Sequence, residues 1–243
     1  MESEEYRRMA AASDTHWWYR ATRQLLDELL TPHLPPLTDA TRYLDAAGGV
    51  GSTGSWLATR AATVLDDFEE SALSVACSRW SGYEPVRSDI SRIPHPDTCF
   101  DASLCVTALY HRLILDPQAV VDELARVTKP GGLVCLMEPG VRRLRRGHDE
   151  VTQTARRFTL TDMRDLIDHA GLDLVVATGA YTFLVPPAGI LAVVERGAAK
   201  SDVGRNESGL GGIFGALARV ERSVIRQVRL PFGLSVIAVG RKR

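Results

Sequence analysis

Short apolar runs alternate along this chain with stretches whose apolar residues recur every three or four positions, which is the pattern of strands alternating with helices. Trp18, Leu25, Leu26, Leu29 and Leu30 carry the helical period and predict a helix over residues 15–35, closed by Pro32 and Pro35. Tyr43–Ala47 reads as a first strand that runs straight into GGVGSTG, and a helical pattern resumes at Ser55–Arg60. Thr63–Asp67 predicts a second strand, followed by a helix to Trp80 with Leu73 and Ala76 inward. Pro85–Val86 fits a short third strand and Asp101–Val106 a fourth. The amphipathic stretch Asp116–Val127 stops at Lys129-Pro130-Gly131-Gly132, where proline and glycine break a helix. Leu133–Met137 is the fifth strand, and Thr161–Ala170 a helix capped by Thr159 or Thr161 and ended by Gly171. Leu172–Ala177 and Leu234–Val239 supply the last two strands.

That order predicts an α/β, Rossmann-like fold: a seven-stranded, mostly parallel sheet with helices on both faces. Residues 183–231 interrupt it as an insertion before the last strand. Lys200–Gly212 is polar and glycine-rich, and Ile213–Val228 carries an apolar stripe (Ile213, Phe214, Leu217, Val220, Val224, Val228) with arginines elsewhere on the helix. About 49 residues bury little core alone, so 183–231 is read as a lid within a single domain spanning 1–243, and 1–38 as an N-terminal helical cap.

The glycine loop changes the picture from fold to chemistry. Leu44-Asp45-Ala46-Ala47-Gly48-Gly49-Val50-Gly51 ends the first strand, where glycines let backbone turn sharply and approach a ligand. Gly49, Gly51 and Gly54 also satisfy the GxGxxG spacing of dinucleotide sites, and Asp67, 18 residues after Gly49, suits a ribose diol in either kind of enzyme. By themselves the glycines fit an unliganded turn, Asp67 a helix cap and Asp89 a turn before Ser91.

The motifs taken in order are more specific. LDAAGGVG at 44–51, Asp67, Ser88-Asp89-Ile90, Pro96–Asp101 leading to Leu109-Tyr110-His111, Glu123–Val134 (ELARVTKPGGLV) and Arg156–Leu172 together resemble class I S-adenosylmethionine (SAM)-dependent methyltransferases of the type 11 kind. The resemblance covers about residues 40–178, with one departure: Ala47 stands where the family has its first glycine. It implies SAM as cofactor and S-adenosylhomocysteine as product. It places Asp67 on the ribose, Phe68, Asp89 and Ile90 around the adenine, and the Ala47, Gly49 and Gly51 backbone along the methionine portion. Asp45 organises the loop or the bound amino group, and Val106 and Tyr19 line the pocket. His111 is the candidate general base, with Tyr110 beside it, and Glu138 at the end of the fifth strand accepts a proton, holds an amine or caps the following turn. His16-Trp17-Trp18-Tyr19 closes over the site or docks its own helix. The Leu109–His111 and Lys129–Gly132 patterns argue against a nicotinamide oxidoreductase. Ala47 is the motif evidence for a non-catalytic SAM-binding module.

Composition narrows the acceptor. The net charge is −1 and no basic–aromatic surface stands out, which argues against nucleic acid. A small molecule, of the natural-product kind found in secondary metabolism, comes first. A nucleotide sugar or cell-envelope glycan comes second, since Arg142–Arg146, Arg156–Arg157 and the arginines at 219, 222, 226 and 229 suit phosphates. Cys77, Cys99, Cys105 and Cys135 lack CxxC spacing and predict thiols, with no metal site. MESEEYRRMAAAS is no secretory signal, and Ala180–Val194 is shorter than the ~20 residues that cross a bilayer. The expectation is a cytoplasmic enzyme without a transmembrane segment, with contact at a membrane surface left open.

Overall fold

A computed structural model describes residues 3–142, 144, 152–194 and 210–243. Its seven strands are β1 (Arg42–Ala46), β2 (Ala62–Asp67), β3 (Tyr83–Arg87), β4 (Phe100–Val106), β5 (Thr128–Pro139), β6 (Leu172–Ala180) and β7 (Ser235–Lys242). They form one sheet in the order β3-β2-β1-β4-β5-β7-β6, in which β7 runs antiparallel to both its neighbours and the other pairs are parallel. Every predicted strand is present. β3, β6 and β7 are longer than their apolar runs, because backbone pairing continues past the last large apolar side chain, for β6 through Thr178-Gly179-Ala180 against β7. β5 starts five residues early: Thr128 pairs with Phe100, then the register shifts and resumes at Ala102–Leu133.

Alternation along the strands splits the core between two faces. Leu44, Ala46, Cys105, Leu136 and Ala238 face α5 (Pro117–Val127) and α6 (Leu160–His169), which bury Val120, Leu124, Met163 and Ile167. Tyr43, Leu104, Cys135, Met137 and Ile237 face α2 (Trp17–Leu30), which buries Leu25, Leu26, Leu29 and Leu30. The short α3 (Ser55–Ala58) adds Trp56 and Leu57 to this second face, while α4 (Glu70–Arg79) packs Leu73 and Ala76 against Leu65 and Tyr83. Cys105 and Cys135 are buried in the sheet, and Cys77 is exposed. Thr159, not Thr161, caps α6, because Asp162 three residues on completes a reciprocal capping box.

The remaining helices depart from the sequence pattern. α1 (Ser3–Ala12) has no predicted counterpart, and its Ala10 packs with Val50 and Ala72. α2 ends at Leu30 and a single 3-10 turn, Thr31–His33, takes the chain to Pro35. Within the predicted insertion, Val185–Val194 forms α7, whose Pro186 and Pro187 fall in the first turn, where a backbone N–H has no intrahelical partner. α8 spans Leu210–Ile225, three residues earlier than its apolar stripe, and lies against α2 with Ala218 and Ile225 buried. Glu221 of α8 accepts from the Tyr181 and Thr182 amides, and Arg222 pairs with Glu28 of α2 at 3.0 Å. The polar stretch 200–209 and most of Arg142–Arg146 lie outside the described residues.

Candidate active site

The sheet order reverses between β1 and β4, and ligands in open α/β sheets bind at the carboxyl ends of the strands flanking such a reversal. Both flanking strands end in strained backbone. Ala47 follows β1 with φ 49° and Thr107 follows β4 with φ 54°, the left-handed region that L side chains avoid at a cost of ~1–2 kcal/mol. Ala47 thus adopts the conformation that a glycine would hold freely, so the departure from the family motif leaves the turn intact.

Gly49 is the open point of the loop. Its φ is 57°, and nothing lies within 4 Å of where a Cβ would stand. Its amide donates to Asp67 Oδ2 at 2.8 Å, while Asp67 Oδ1 accepts from the Glu69 amide at 2.9 Å. A carboxylate offers about four acceptor positions, so these two bonds leave room for a diol. Burial pushes the Asp67 carboxyl up, opposed by the two amides.

Asp45 lies beneath the loop, 1% exposed, and accepts from the Tyr83 hydroxyl at 2.7 Å. The same hydroxyl reaches Gly51 O at 3.0 Å. A Cβ on Gly54 would stand 2.2 Å from the Asp45 carboxyl, so this glycine exists for close approach rather than for φ. Asp45 therefore organises the loop from inside. Burial raises it from 3.8 to about 7, and raises the neighbouring Asp66, which accepts from Ser88, to about 6. The sign is that of an acid whose folded pKa exceeds its unfolded one: stability is full below pH 3.8 and is lost as pH rises through about 7. Asp45→Asn is expected to remove that loss. In thermal unfolding from about pH 5 to about pH 8, wild type should fall behind the variant by a further ~3 kcal/mol. Parallel curves would refute the buried neutral acid.

After β2, Phe68 is 59% exposed with the Arg87 guanidinium 5.9 Å above its ring. Ile90 is buried, and Asp89 Oδ1 takes both bonds of Ser91, 2.9 Å to the amide and 2.7 Å to the hydroxyl. Val106 is buried at the end of β4, and Tyr19 is buried beside Trp18, with ring centroids 5.0 Å apart. His16 caps α2 by accepting from the Trp18 amide, and Trp17 packs edge-on to Tyr181.

The turn after β4 is held from two directions. Glu138 is fully buried and takes the amides of Ala108, Leu109 and Tyr110 at 3.0, 2.8 and 3.1 Å. Burial nonetheless raises its pKa to about 8. Three amides around one carboxyl make Glu138 the anchor of this turn. From outside, residues 152–158 form a strap: the Arg112 amide donates to Gln153 O at 3.0 Å, Ala155 to Tyr110 O at 2.9 Å, and Arg156 Nη1 to Leu109 O. Arg157 reaches Gly140 O, so both arginines tether backbone. Arg157, Phe158, Arg142 and Asp116 also line an open cleft of about 580 Å³ between α5 and α6, which no glycine-loop residue lines. Sequence reasoning missed the strap, Thr107, Tyr83 and Asp66, since backbone pairing and contacts across 38 residues leave no local pattern.

His111 is half-buried, and burial lowers its pKa, which keeps it neutral at neutral pH. Its Nδ1 accepts from the Leu113 amide at 3.2 Å. A neutral ring that accepts at Nδ1 carries its proton on Nε2, which makes Nε2 a donor.

Comparison with known proteins fits this geometry. Residues 44–136 match the methyltransferase domain family. A demethylmenaquinone methyltransferase of Clavibacter sepedonicus is 38% identical over 115 residues, 44% of this chain and 46% of that protein. The chain spans about half the length of the curated relatives it matches. A SAM-dependent methyltransferase of Thermotoga maritima superposes with a TM-score of 0.60 at 18% identity, covering 99% of this chain and 95% of the other. The 4+2 cyclase SpnF does so with a TM-score of 0.59 at 17% identity, over 92% and 80%. Residues 44–136 are thus similar to the methyltransferase domain family, and the fold is that of solved SAM-dependent methyltransferases.

Proposed function

We propose that this protein transfers a methyl group from SAM to an O, N or C atom of a small molecule, of the natural-product kind. What supports the reading is the open space beside Gly49 at the rim of Asp67. A ligand there meets two unused acceptor positions and a backbone that can approach without a side chain in the way. Asp67 holds the ribose diol, Asp89 Oδ2 the adenine amine, Phe68 and Ile90 the adenine faces, and Ala47–Gly51 the methionine portion. Bound SAM supplies an electrophilic methyl on a leaving group that needs no protonation. The chain's own residues contribute alignment and exclusion of water, with Tyr19 and Val106 lining the cofactor and Tyr110 the acceptor side.

His111 serves in this scheme as a donor from Nε2 that positions the acceptor, rather than as the general base. His111→Gln, which still donates, is expected to keep kcat within about tenfold, while His111→Ala loses about a hundredfold. Equal, large losses in both variants would restore the base.

The primary test is calorimetry of SAM and S-adenosylhomocysteine against the purified chain, with NAD as control, followed by methyl transfer from labelled SAM to a panel of phenols, amines and sugar nucleotides. SAM binding with transfer to a phenol or amine is the expected result. Transfer confined to sugar nucleotides would move the acceptor to the glycan class. Binding without transfer would favour a SAM-binding module, and no binding would sink the proposal.

A further inference from the structure

The apolar stripe of α8 points away from the body of the protein. Ile213, Leu217, Val220 and Val224 recur at intervals of four, three and four, so they share one line along the helix, and all four are exposed. Val220 is 64% exposed. Ala218, Glu221 and Ile225, about a quarter-turn round, face α2 and the turn at Tyr181. The helix is therefore apolar on its outward line as well as its inward one, where a surface helix ordinarily presents polar groups to water. Beyond the helix, Val228 and Phe232 are exposed too. Scattered exposed apolar residues need no explanation, but a row does.

Charge says what covers this row. Residues 210–232 hold four arginines and one acid, Glu221. That acid is buried and used up by the Tyr181 and Thr182 amides. Arg222 is tied to Glu28 at 3.0 Å and Arg226 approaches the same carboxylate at 4.0 Å, while Arg219, Arg226 and Arg229 are exposed. α7, the element before it, reads VPPAGILAVV and has no charged residue. Among the described residues no helix is long and apolar enough to cross a membrane. An apolar line on a helix whose exposed charges are all arginine, carried on its other side, is the composition of a helix lying in the plane of an anionic bilayer. Neither the stripe nor the exposed arginines meet any exposed acid on this helix, so the charge of the face is purely positive.

We propose that α8 docks this protein on anionic membrane surfaces, with Ile213, Leu217, Val220 and Val224 entering the headgroup–acyl boundary and Arg219, Arg226 and Arg229 meeting the phosphates. This inference stands apart from the methyl acceptor. Flotation of the full chain with phosphatidylcholine–phosphatidylglycerol vesicles, and with phosphatidylcholine alone, tests it. The chain should float with the anionic vesicles only. The double variant Leu217→Ser/Val220→Ser should lower that partitioning about tenfold, and Arg219→Glu/Arg226→Glu by at least about tenfold. Both variants should bind SAM as wild type does, which shows that they fold. No flotation with anionic vesicles, or flotation that neither variant weakens, would overturn the proposal. So would a dimer in vesicle-free buffer that Leu217→Ser/Val220→Ser dissolves, which would give the stripe to a second copy.

Discussion

Replacing Asp67 by alanine is expected to weaken SAM binding by about 100- to 1000-fold, measured by calorimetry. Each hydrogen bond to a charged carboxylate is worth ~1.5–3 kcal/mol, and a ribose diol would make two. The same substitution removes the acceptor of the Gly49 amide, so the loop loses its tie to β2 just where the ligand sits. Asp67→Asn separates these contributions. An amide oxygen can still accept from Gly49, but the charge and one acceptor position are gone, so a loss of about tenfold follows. Folding should suffer little in either variant, since the two bonds made by Asp67 lie at the rim of the loop. A loss below about tenfold for Asp67→Ala would move the ribose elsewhere.

The second large effect falls on stability. Glu138→Ala leaves three amides without an acceptor in a fully buried place, and each unsatisfied buried donor costs ~1–3 kcal/mol. The expected destabilisation is about 3–5 kcal/mol, read by urea or thermal unfolding, since relaxation and entering water recover part of the sum. Glu138→Gln keeps one acceptor oxygen and turns the other into a donor facing an amide, so about 2 kcal/mol is expected. The strap should loosen with the turn, and protection of the Ala155 amide in hydrogen exchange should drop in both variants. Wild-type stability in Glu138→Ala would show that the turn is held by the strap alone.

The strands could be read from the sequence because a parallel sheet buried on both faces demands continuous apolar runs, and the helices because Leu25–Leu30 and Val120–Val127 repeat at the right period. Asp67 and the glycine loop were readable for the same reason: the chemistry sits on one local stretch. Three features were not. α7 begins with two prolines, which look like a break until they are placed in a first turn. The role of Glu138 depends on amides thirty residues away, so the sequence offers a capping acid among other readings and no partner for it. The α8 stripe is visible as a stripe, but periodicity does not say which side of a helix meets the core. Ala218, Glu221 and Ile225 face inward because the Tyr181–Thr182 turn needs the Glu221 carboxylate.

The position of β7 has a consequence for biosynthesis. It is the last strand in chain order, yet it lies between β5 and β6 and pairs with both. Until residues 235–242 leave the ribosome, β6 has no neighbour and β5 presents an open edge of unsatisfied amides and carbonyls. The nascent chain can assemble β1 to β5 early, but α6 and β6 must wait beside an incomplete sheet. Closure is a single late insertion that zips two edges at once and joins segments about a hundred residues apart, the kind of step that makes folding slow. During that wait the exposed edges of β5 and β6 are what a chaperone would hold.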